Sequence, residues 1–495
     1  MPCGRCGASS REATVNALAV TRVLALLVFA TGAAMLLPML ISLGYGEAEW
    51  KWFGASLLVS CGVGSLVAWL CRGRPELRNR DGFLIVTLGW LFVGLTGAMP
   101  FWLSGQIPVF TDAVFESVSG FTTTGASILP DVEVLGRGMA LWRCMIQWLG
   151  GMGIVVLSVA ILPILGVGGM QLFQAEAPGP SPDRLTPRIK ETARLLWGVY
   201  CLISAVEFLA LMLCGMGWFD ALAHSFTTMA TGGFSTKAAS IGHYQSPAIE
   251  YVVIFFMFAA GINFSLHYSA MRGRLRSYFR DSEFKVYITV ISLAMLVVAT
   301  TNLILPGVDT EEQLRASLFQ VISIVTTTGF ATADYELWAP AAVFVLIMLM
   351  FIGACAGSTG GGMKNVRLLL LTRHSINELR KMIHPQAVFP VRFNHRAVAP
   401  DILTNILGFV LLLLLTTIAA TFVMTLLGLD LLTAFGAVAA TINNIGPGIG
   451  GVGPTDHFGH IPAVGKWVLV FCMLLGRLEL FTVLVLLTPD FWRRT

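Results

Sequence analysis

The sequence predicts an all-α polytopic membrane protein of four pseudo-repeated helix–loop–helix units, preceded by two extra N-terminal transmembrane helices. Three observations predict it: a strongly apolar composition, apolar spans of membrane length along the whole chain, and a polar, glycine-bearing segment that recurs four times. Of the 495 residues, 56% are hydrophobic and 12% are charged, against about 25% charged in an ordinary soluble domain. A chain this apolar cannot keep its surface wet, so lipid is its solvent. The net charge of +4 says little about partners, because its distribution matters more than its total. The nine cysteines are scattered singly, apart from Cys3 and Cys6, and form no disulfide framework. Cys3-Gly4-Arg5-Cys6 has metal-knuckle spacing, but no second Cys/His pair follows to complete four ligands. It reads as a frayed terminus.

Apolar spans of about 20 residues are long enough to cross a bilayer as helices. They fall near 15–43, 51–71, 82–103, 138–165, 190–215, 247–271, 284–305, 340–371, 401–428 and 463–488. The first, from Val15 to Leu43, exceeds a signal-peptide apolar region of about 7–15 residues and reads as a retained transmembrane helix. Arginines and lysines cluster at Arg72, Arg74, Arg78 and Arg80; at Arg184, Arg188 and Lys190; at Arg272, Arg274, Arg276 and Arg280; along Arg367–Arg396; and at Arg493 and Arg494. If the spans alternate, every cluster lies on one side. The opposite connections carry Glu47, Glu49, Asp131, Glu133, Asp309, Glu311, Glu312, Asp334, Glu336 and Asp456. The positive-inside bias therefore predicts both termini in the cytoplasm.

On the acidic side, four connections hold short apolar stretches: Thr111–Phe121, Phe219–Met229, Glu311–Val325 and Asp430–Thr441. They are too short to cross a bilayer and predict re-entrant half-helices. Asp112, Asp220 and Thr433 stand near their starts, where a capping oxygen is useful. After them come Thr122-Thr123-Thr124-Gly125, Met229-Ala230-Thr231-Gly232-Gly233-Phe234, Thr326-Thr327-Thr328-Gly329-Phe330 and Asn443-Asn444-Ile445-Gly446-Pro447-Gly448. With Gly125, Gly232, Gly329 and Gly446 as the repeated glycines, the spacings are 107, 97 and 117 residues. That period implies four homologous quarters.

Non-helical backbone survives at membrane depth only where protein or water covers it. Four such segments meeting on one axis would turn carbonyls inward and replace the hydration shell of a cation. Glycine permits φ > 0, so successive carbonyls can face one way, and the half-helices aim their negative C-terminal ends at the ion. No ring of acidic side chains lies in these segments, which argues against a divalent-cation filter. The units thus read as helix–pore-loop–helix repeats around a central ion pore, with oxygen ligands from Thr123, Thr124, Gly125, Ala230, Thr231, Gly232, Thr327, Thr328, Gly329, Asn444, Ile445 and Gly446. As domains, the chain divides into an N-terminal helix pair at 1–80 and repeats at 81–170, 188–272, 283–372 and 397–490.

The span 340–371 contains Gly353, Gly357, Ser358, Thr359, Gly360, Gly361, Gly362 and Lys364. Such a run breaks a helix in mid-membrane at a cost of roughly 1 kcal/mol per glycine relative to alanine. It reads either as a loop lining the cavity below the filter, placed to obstruct and release the ion path, or as a passive packed kink. Arg477, halfway along the last span, is an expensive intramembrane charge. It reads as a positive barrier just below the filter, or as the partner of a carboxylate elsewhere. Glu207 is a second intramembrane charge with no assigned role. Gly446-Pro447-Gly448-Ile449-Gly450-Gly451 matches G-x-G-x-x-G in form but lacks a βαβ context, and His457 with His460 lacks the partners of a metal site.

These residues resemble the TrkH family of bacterial potassium-uptake subunits, within the Trk/Ktr/HKT superfamily of K⁺ transporters. The resemblance rests on Arg80–Val86, Gln147-Trp148-Leu149-Gly150-Gly151-Met152-Gly153, Ile161-Leu162-Pro163 through Gly169-Met170-Gln171-Leu172, Ala356–Lys364 and Gly476-Arg477-Leu478-Glu479. The two spans before the first quarter resemble the extra N-terminal pair that sets TrkH apart from the shorter KtrB proteins. The resemblance implies a K⁺ filter at the four glycines and the residues before each, and an intramembrane gating loop at 353–364. It also implies an arginine under the filter at Arg477, a homodimer in the bacterial cytoplasmic membrane, and a cytosolic TrkA-type RCK subunit that holds the regulating nucleotide. K⁺ is then the transported ion, bound only at the filter residues; no covalent cofactor and no nucleic-acid partner are implied. Glycine in all four quarters resembles the K⁺-selective members, whereas serine in the first quarter marks Na⁺-preferring plant relatives. The second quarter departs most from Thr-Thr-Thr-Gly.

Two other classes stand beside a channel-like K⁺ pore. A symporter coupled to H⁺ or Na⁺ needs a titratable group near the midplane, and Glu207 is the candidate. An enzyme needs convergent nucleophile, base or metal ligands at depth. Of the eight histidines only His267 lies within a span, and Ser358 has no base nearby in sequence. The sequence therefore points away from an enzyme.

Overall fold

The computed structural model describes residues 15–72, 79–160, 185–302, 310–394 and 396–493. Cys3, Cys6 and the segment 161–172 lie outside the described residues. Among the described residues the regular structure is helical, apart from one short antiparallel pair, Arg392–Phe393 with Arg396–Ala397.

Six helices are long and apolar enough to cross a membrane, at Ala17–Gly44, Trp50–Leu70, Arg80–Leu103, Glu191–Leu213, Ser282–Asn302 and Pro400–Leu426. The helix Arg137–Ala160 and two bent pairs join them. The bent pairs correct the expectation of continuous spans at 247–271 and 463–488. Pro247–Ala260 and Phe264–Met271 meet at 101°, and Ala463–Arg477 and Phe481–Leu487 at 113°. Each bend has a local cause. At the first, Gly261 O accepts from Cys355 N and Phe264 N donates to Gly357 O, so the glycine run has captured both groups. Asn263 then starts the new helix by accepting from Ser265 N. At the second, Glu479 adopts φ 59° and pairs with Arg367, while Arg477 turns toward backbone carbonyls. The span 340–371 is broken as its glycines predict, into Pro340–Ile352 and Asn365–Ile383.

The four half-helices fall close to their expected places, at Phe110–Phe121, Trp218–Met229, Thr310–Val325 and Leu431–Ile442. The caps differ. Asp430, not Thr433, caps the fourth by accepting from Thr433 N at 3.0 Å. Asp112 is drawn instead to Lys466 Nζ at 2.6 Å, and Asp220 to Thr236 Oγ1 at 2.6 Å. A salt bridge or a hydroxyl from a neighbouring element has displaced each cap.

The half-helices also explain the ring. The second packs against Arg137–Ala160, the third against Pro247–Ala260 and the fourth against Pro340–Ile352, each the exit helix of the quarter before. The first packs against Ala463–Arg477, the exit helix of the last quarter. Each quarter thus leans on its predecessor and the chain closes on itself. The half-helices are the buried centre, with every residue from Ala113 to Phe121 buried. Large apolar side chains such as Leu66, Phe255, Leu293, Phe344, Leu411 and Phe422 face outward. On a protein in water such a belt would be a liability, whereas lipid solvates it.

Candidate functional site

The four half-helices end in the same way. Thr123 N donates to Gly120 O and Thr124 N to Ser119 O. The same two bonds recur from Thr231 and Gly232, from Thr327 and Thr328, and from Asn444 and Ile445, all at 2.8–3.2 Å. This is the Schellman arrangement, which requires a left-handed residue just past the helix. That residue is Thr123 (φ 52°), Thr231 (φ 52°), Thr327 (φ 59°) and Asn444 (φ 55°). Asparagine tolerates the conformation, but a β-branched threonine there is a true outlier, costing roughly 1–3 kcal/mol. Strain of this kind, repeated at matched positions, marks a geometry that the surrounding structure imposes.

Two residues on, the chain turns left-handed again at Gly125 (φ 81°), Gly233 (φ 75°), Gly329 (φ 82°) and Gly446 (φ 97°). The second quarter therefore aligns one residue later than the sequence suggested. Gly233, not Gly232, is the counterpart of Gly125, and Gly232 occupies the place of Thr124, Thr328 and Ile445. Packing around the ring agrees. A Cβ on Gly125 would lie 2.1 Å from Gly232 O, one on Gly233 2.0 Å from Thr328 O, one on Gly329 1.9 Å from Ile445 O, and one on Gly446 2.8 Å from Thr124 O. Each glycine thus admits the carbonyl of the next quarter, and the last admits that of the first. Gly125, Gly233, Gly329 and Gly446 together line a cavity of about 120 Å³ that opens on the side of the acidic loops.

The braces behind this ring differ between quarters. Thr122 Oγ1 donates to Val118 O at 2.7 Å and meets Thr124 Oγ1 at 2.8 Å. Thr326 repeats both contacts with Ile322 O and Thr328 Oγ1. The second quarter has Ala230 and Gly232 in those places, and its brace is Gln147: Nε2 donates to Gly232 O at 2.6 Å and Oε1 accepts from Phe234 N at 3.0 Å. In the fourth, Asn444 Nδ2 donates to Thr124 Oγ1 and to Met473 O. Beyond the glycines, buried Glu116 accepts from Arg143 Nε at 2.7 Å and from Ile128 N, and Arg143 stacks over Phe234 and donates to Ser235 O. One buried ion pair so ties the first two quarters together.

The glycine run crosses the inner ends of the half-helices. Thr359 Oγ1 donates to Met229 O, Gly361 N to Thr327 Oγ1 at 2.6 Å, and Gly362 N to Asn443 O. A Cβ on Gly361 would sit 2.3 Å from Asn443 O and one on Gly353 2.4 Å from Gly361 O, so side chains are excluded where the run passes closest. Arg477 Nη1 donates to Thr359 O at 2.7 Å and Nη2 to Gly150 O at 3.2 Å. Its partners are carbonyls, where the alternative reading expected a carboxylate. Lys364 Nζ donates to Gly360 O, and Ser358 Oγ to Cys355 O. Glu283 holds both ends of the segment, accepting from Ala356 N at 2.7 Å and Val366 N at 3.0 Å. Asn263 packs over Gly357. Glu207 is fully buried beside Thr228 of the second half-helix.

Gln147, Glu116, Arg143, Asn263 and Glu283 belong to the site and were not singled out for it by the sequence. A polar residue inside an apolar span was the available signal for Gln147, Arg143 and Asn263, and one inside a short apolar stretch for Glu116; Glu283, just before the span 284–305, gave none. Two buried oxygens at the level of the left-handed residues, Thr123 Oγ1 and Asn444 Oδ1, have no hydrogen-bond partner among the described residues. The arrangement can offer a partly dehydrated cation four carbonyls and further side-chain oxygens, with no anionic ligand.

Such a closed four-quarter ring, re-entrant within a helical membrane protein, defines a membrane transport protein for cations. The chain belongs to the TrkH family: the family model described as "TrkH: Cation transport protein" matches residues 53–493. The Trk system potassium uptake protein TrkH of Halomonas elongata is 44% identical over 485 residues, covering 96% of this chain and 99% of its own. TrkH of Escherichia coli K12 is 44% identical over 481 residues, with the same coverage. The crystal structure of the potassium transporter TrkH from Vibrio parahaemolyticus superposes with a TM-score of 0.89 at 38% identity, covering 97% of this chain and 100% of that one.

Proposed function

We propose that this chain takes up potassium across the bacterial cytoplasmic membrane through a channel-like pore whose selectivity filter is the four-quarter ring. The observation that carries the reading is the closed succession in which Gly125, Gly233, Gly329 and Gly446 each admit a neighbour's carbonyl. Carbonyls held at one level can replace the hydration shell of K⁺, and the absence of carboxylates from the ring keeps binding weak enough for release. The membrane potential supplies about 2.3 kcal/mol per charge per 100 mV. The named relatives are potassium uptake proteins, which supports the choice of ion. The positive-inside bias supports cytoplasmic termini.

The segment 353–364 is the gate in this reading. It sits across the inner end of the filter and is held by hydrogen bonds that can be broken singly, and Arg477 adds a positive barrier beside it. The chain works as a homodimer, and a cytosolic nucleotide-binding subunit of the TrkA type pulls the segment aside. The test is ⁸⁶Rb⁺ flux into proteoliposomes with K⁺ and Na⁺ as competitors. Block by K⁺ and not by Na⁺ is expected, and equal competition would remove the K⁺ filter. Deleting Gly357–Gly362 should raise flux without any partner, and unchanged flux in folded protein would sink the gate.

The fully buried carboxyl of Glu207 favours one second reading, a symporter coupled to H⁺ or Na⁺. A pH dependence of flux that disappears in Glu207→Gln would support it.

A further inference from the structure

The basic residues between the second and third quarters do more than set orientation. The segment 272–280 and the helix ends around it enclose a cavity of about 1070 Å³, lined by Asn263, Arg274, Arg276, Ser277, Arg280 and Asp281 among others. Three arginines and one aspartate therefore stand along its wall. That carboxylate is already occupied: Asp281 Oδ1 accepts from Phe284 N at 2.8 Å and Oδ2 from Asn394 Nδ2 at 3.0 Å. None of the three arginines forms an ion pair or a side-chain hydrogen bond among the described residues. Ser277 Oγ lies buried in the same wall without a partner. Unpaired guanidiniums beside an orphaned hydroxyl suit an anion with several oxygens, and arginine matches phosphate by paired hydrogen bonds.

The cavity also shares walls with the glycine run. Asn263, 6% exposed, lines the cavity, and its Oδ1 would lie 3.0 Å from a Cβ on Gly357. Its neighbour Phe264 donates through N to Gly357 O at 3.1 Å. On the other wall, Ser282 N donates to Asn394 Oδ1 at 2.8 Å, and the next residue is Glu283, which holds Ala356 N and Val366 N. A ligand that draws 274–280 toward itself pulls on both ends of 353–364 through one residue each.

We propose that this cavity binds a phosphate-bearing anion and that its occupancy biases the position of the segment 353–364. The coupling rests on the gate reading above, whereas the binding does not. Two sources share the chemistry: the headgroup of an anionic phospholipid at the membrane surface, and a soluble phosphate compound. The arginines stand at the membrane face that attracts anionic lipid.

The full-length protein and an Arg274→Gln/Arg276→Gln/Arg280→Gln variant are compared in two binding arms. In the first, native mass spectrometry counts phosphatidylglycerol and phosphatidylcholine retained on the protein released from mixed vesicles. In the second, inorganic pyrophosphate is titrated calorimetrically onto protein in phosphatidylcholine nanodiscs. Selective retention of phosphatidylglycerol identifies the lipid source, and heat from pyrophosphate the soluble one. Either signal should weaken at least about tenfold in the variant, the loss expected when charge-assisted hydrogen bonds are removed. Equal signals in both proteins, or none in the unaltered protein, overturn the site. Ser277→Ala, which keeps all charges, should give a smaller loss in the same arm; no loss there together with none in the triple variant overturns it again. Coupling is read from ⁸⁶Rb⁺ flux with and without the bound species: a ligand-dependent change of at least about threefold, absent in the variant, is expected, since coupling energies between sites commonly reach that size. Binding with flux indifferent to it overturns the coupling. Protein that carries no ⁸⁶Rb⁺ in any condition fails the pore reading, and the binding arms still decide the site.

Discussion

The first and third quarters of the ring brace their own turns, whereas the second borrows a side chain from elsewhere and the fourth combines a local brace with a remote one. In the first, Thr122 ties Val118 O to Thr124 within a stretch of seven residues, and Thr326 repeats this in the third. The second quarter lacks both hydroxyls, and Gln147 reaches it from 85 residues away. In the fourth, Asn443 Nδ2 donates to Ala439 O at 2.9 Å, as Thr122 does to Val118 O, while the Asn444 amide bonds to Thr124 in the first quarter and Met473 in its own exit helix. All four nevertheless share the same left-handed pair of residues. One backbone geometry is thus reached by local and by remote support. The difference teaches that the backbone, not the side-chain motif, is what repeats.

The largest expected effect tests the register of the second quarter. Gly233→Ala places a Cβ about on top of Thr328 O, 2.0 Å away, and backbone has to move. Flux of ⁸⁶Rb⁺ should fall at least about tenfold, equivalent to ~1.4 kcal/mol. Gly232→Ala meets Gln147 Cδ at 2.4 Å, a side chain that can swing away, so its loss should be smaller, and in Gly232→Ala/Gln147→Leu the two losses should be less than additive. Coupling between the two positions is what a double-mutant cycle reads. Equal losses in Gly232→Ala and Gly233→Ala would break the comparison.

An intermediate effect is expected from Gln147→Leu. It strands Gly232 O and Phe234 N in a buried site, a cost of about 1–3 kcal/mol. Thermal stability in detergent should drop and Na⁺ should compete better for ⁸⁶Rb⁺, because one carbonyl of the ring loses its restraint. Thr122→Val and Thr326→Val should cost least, about 1 kcal/mol each for one modest hydrogen bond, and should match each other. A difference of more than a few tenths of a kcal/mol in melting analysis between them would show that the two self-braced quarters are not equivalent.

This contrast also explains what the sequence disclosed. The half-helices were legible because apolar stretches too short for a bilayer have few other readings, and Thr-Thr-Thr-Gly was legible because its brace lies inside it. Gly232 was mistaken for Gly233 because Met229-Ala230-Thr231-Gly232-Gly233 offers two glycines, and only the left-handed φ and the contact with Thr328 O choose between them. The bends at Gly261–Asn263 and Leu478–Leu480 were hidden because no proline marks them and each span stays apolar enough overall to read as one. Their cause is tertiary: the glycine run takes backbone bonds from one, and Arg367 takes Glu479 from the other. Arg477 was visible as an expensive charge, but its carbonyl partners lie 118 and 327 residues away, beyond any local pattern. Asp112 and Asp220 read as caps because their bonds to Lys466 and Thr236 could not be foreseen.

The most direct measurement of the central claim is the K⁺-over-Na⁺ competition of ⁸⁶Rb⁺ flux in Gly125→Ser, Gly232→Ser and Gly233→Ser, each reconstituted as folded protein. A ring built from Gly125, Gly233, Gly329 and Gly446 predicts that selectivity relaxes in Gly125→Ser and Gly233→Ser and largely survives in Gly232→Ser. Relaxed selectivity in Gly232→Ser with selectivity kept in Gly233→Ser would contradict the account.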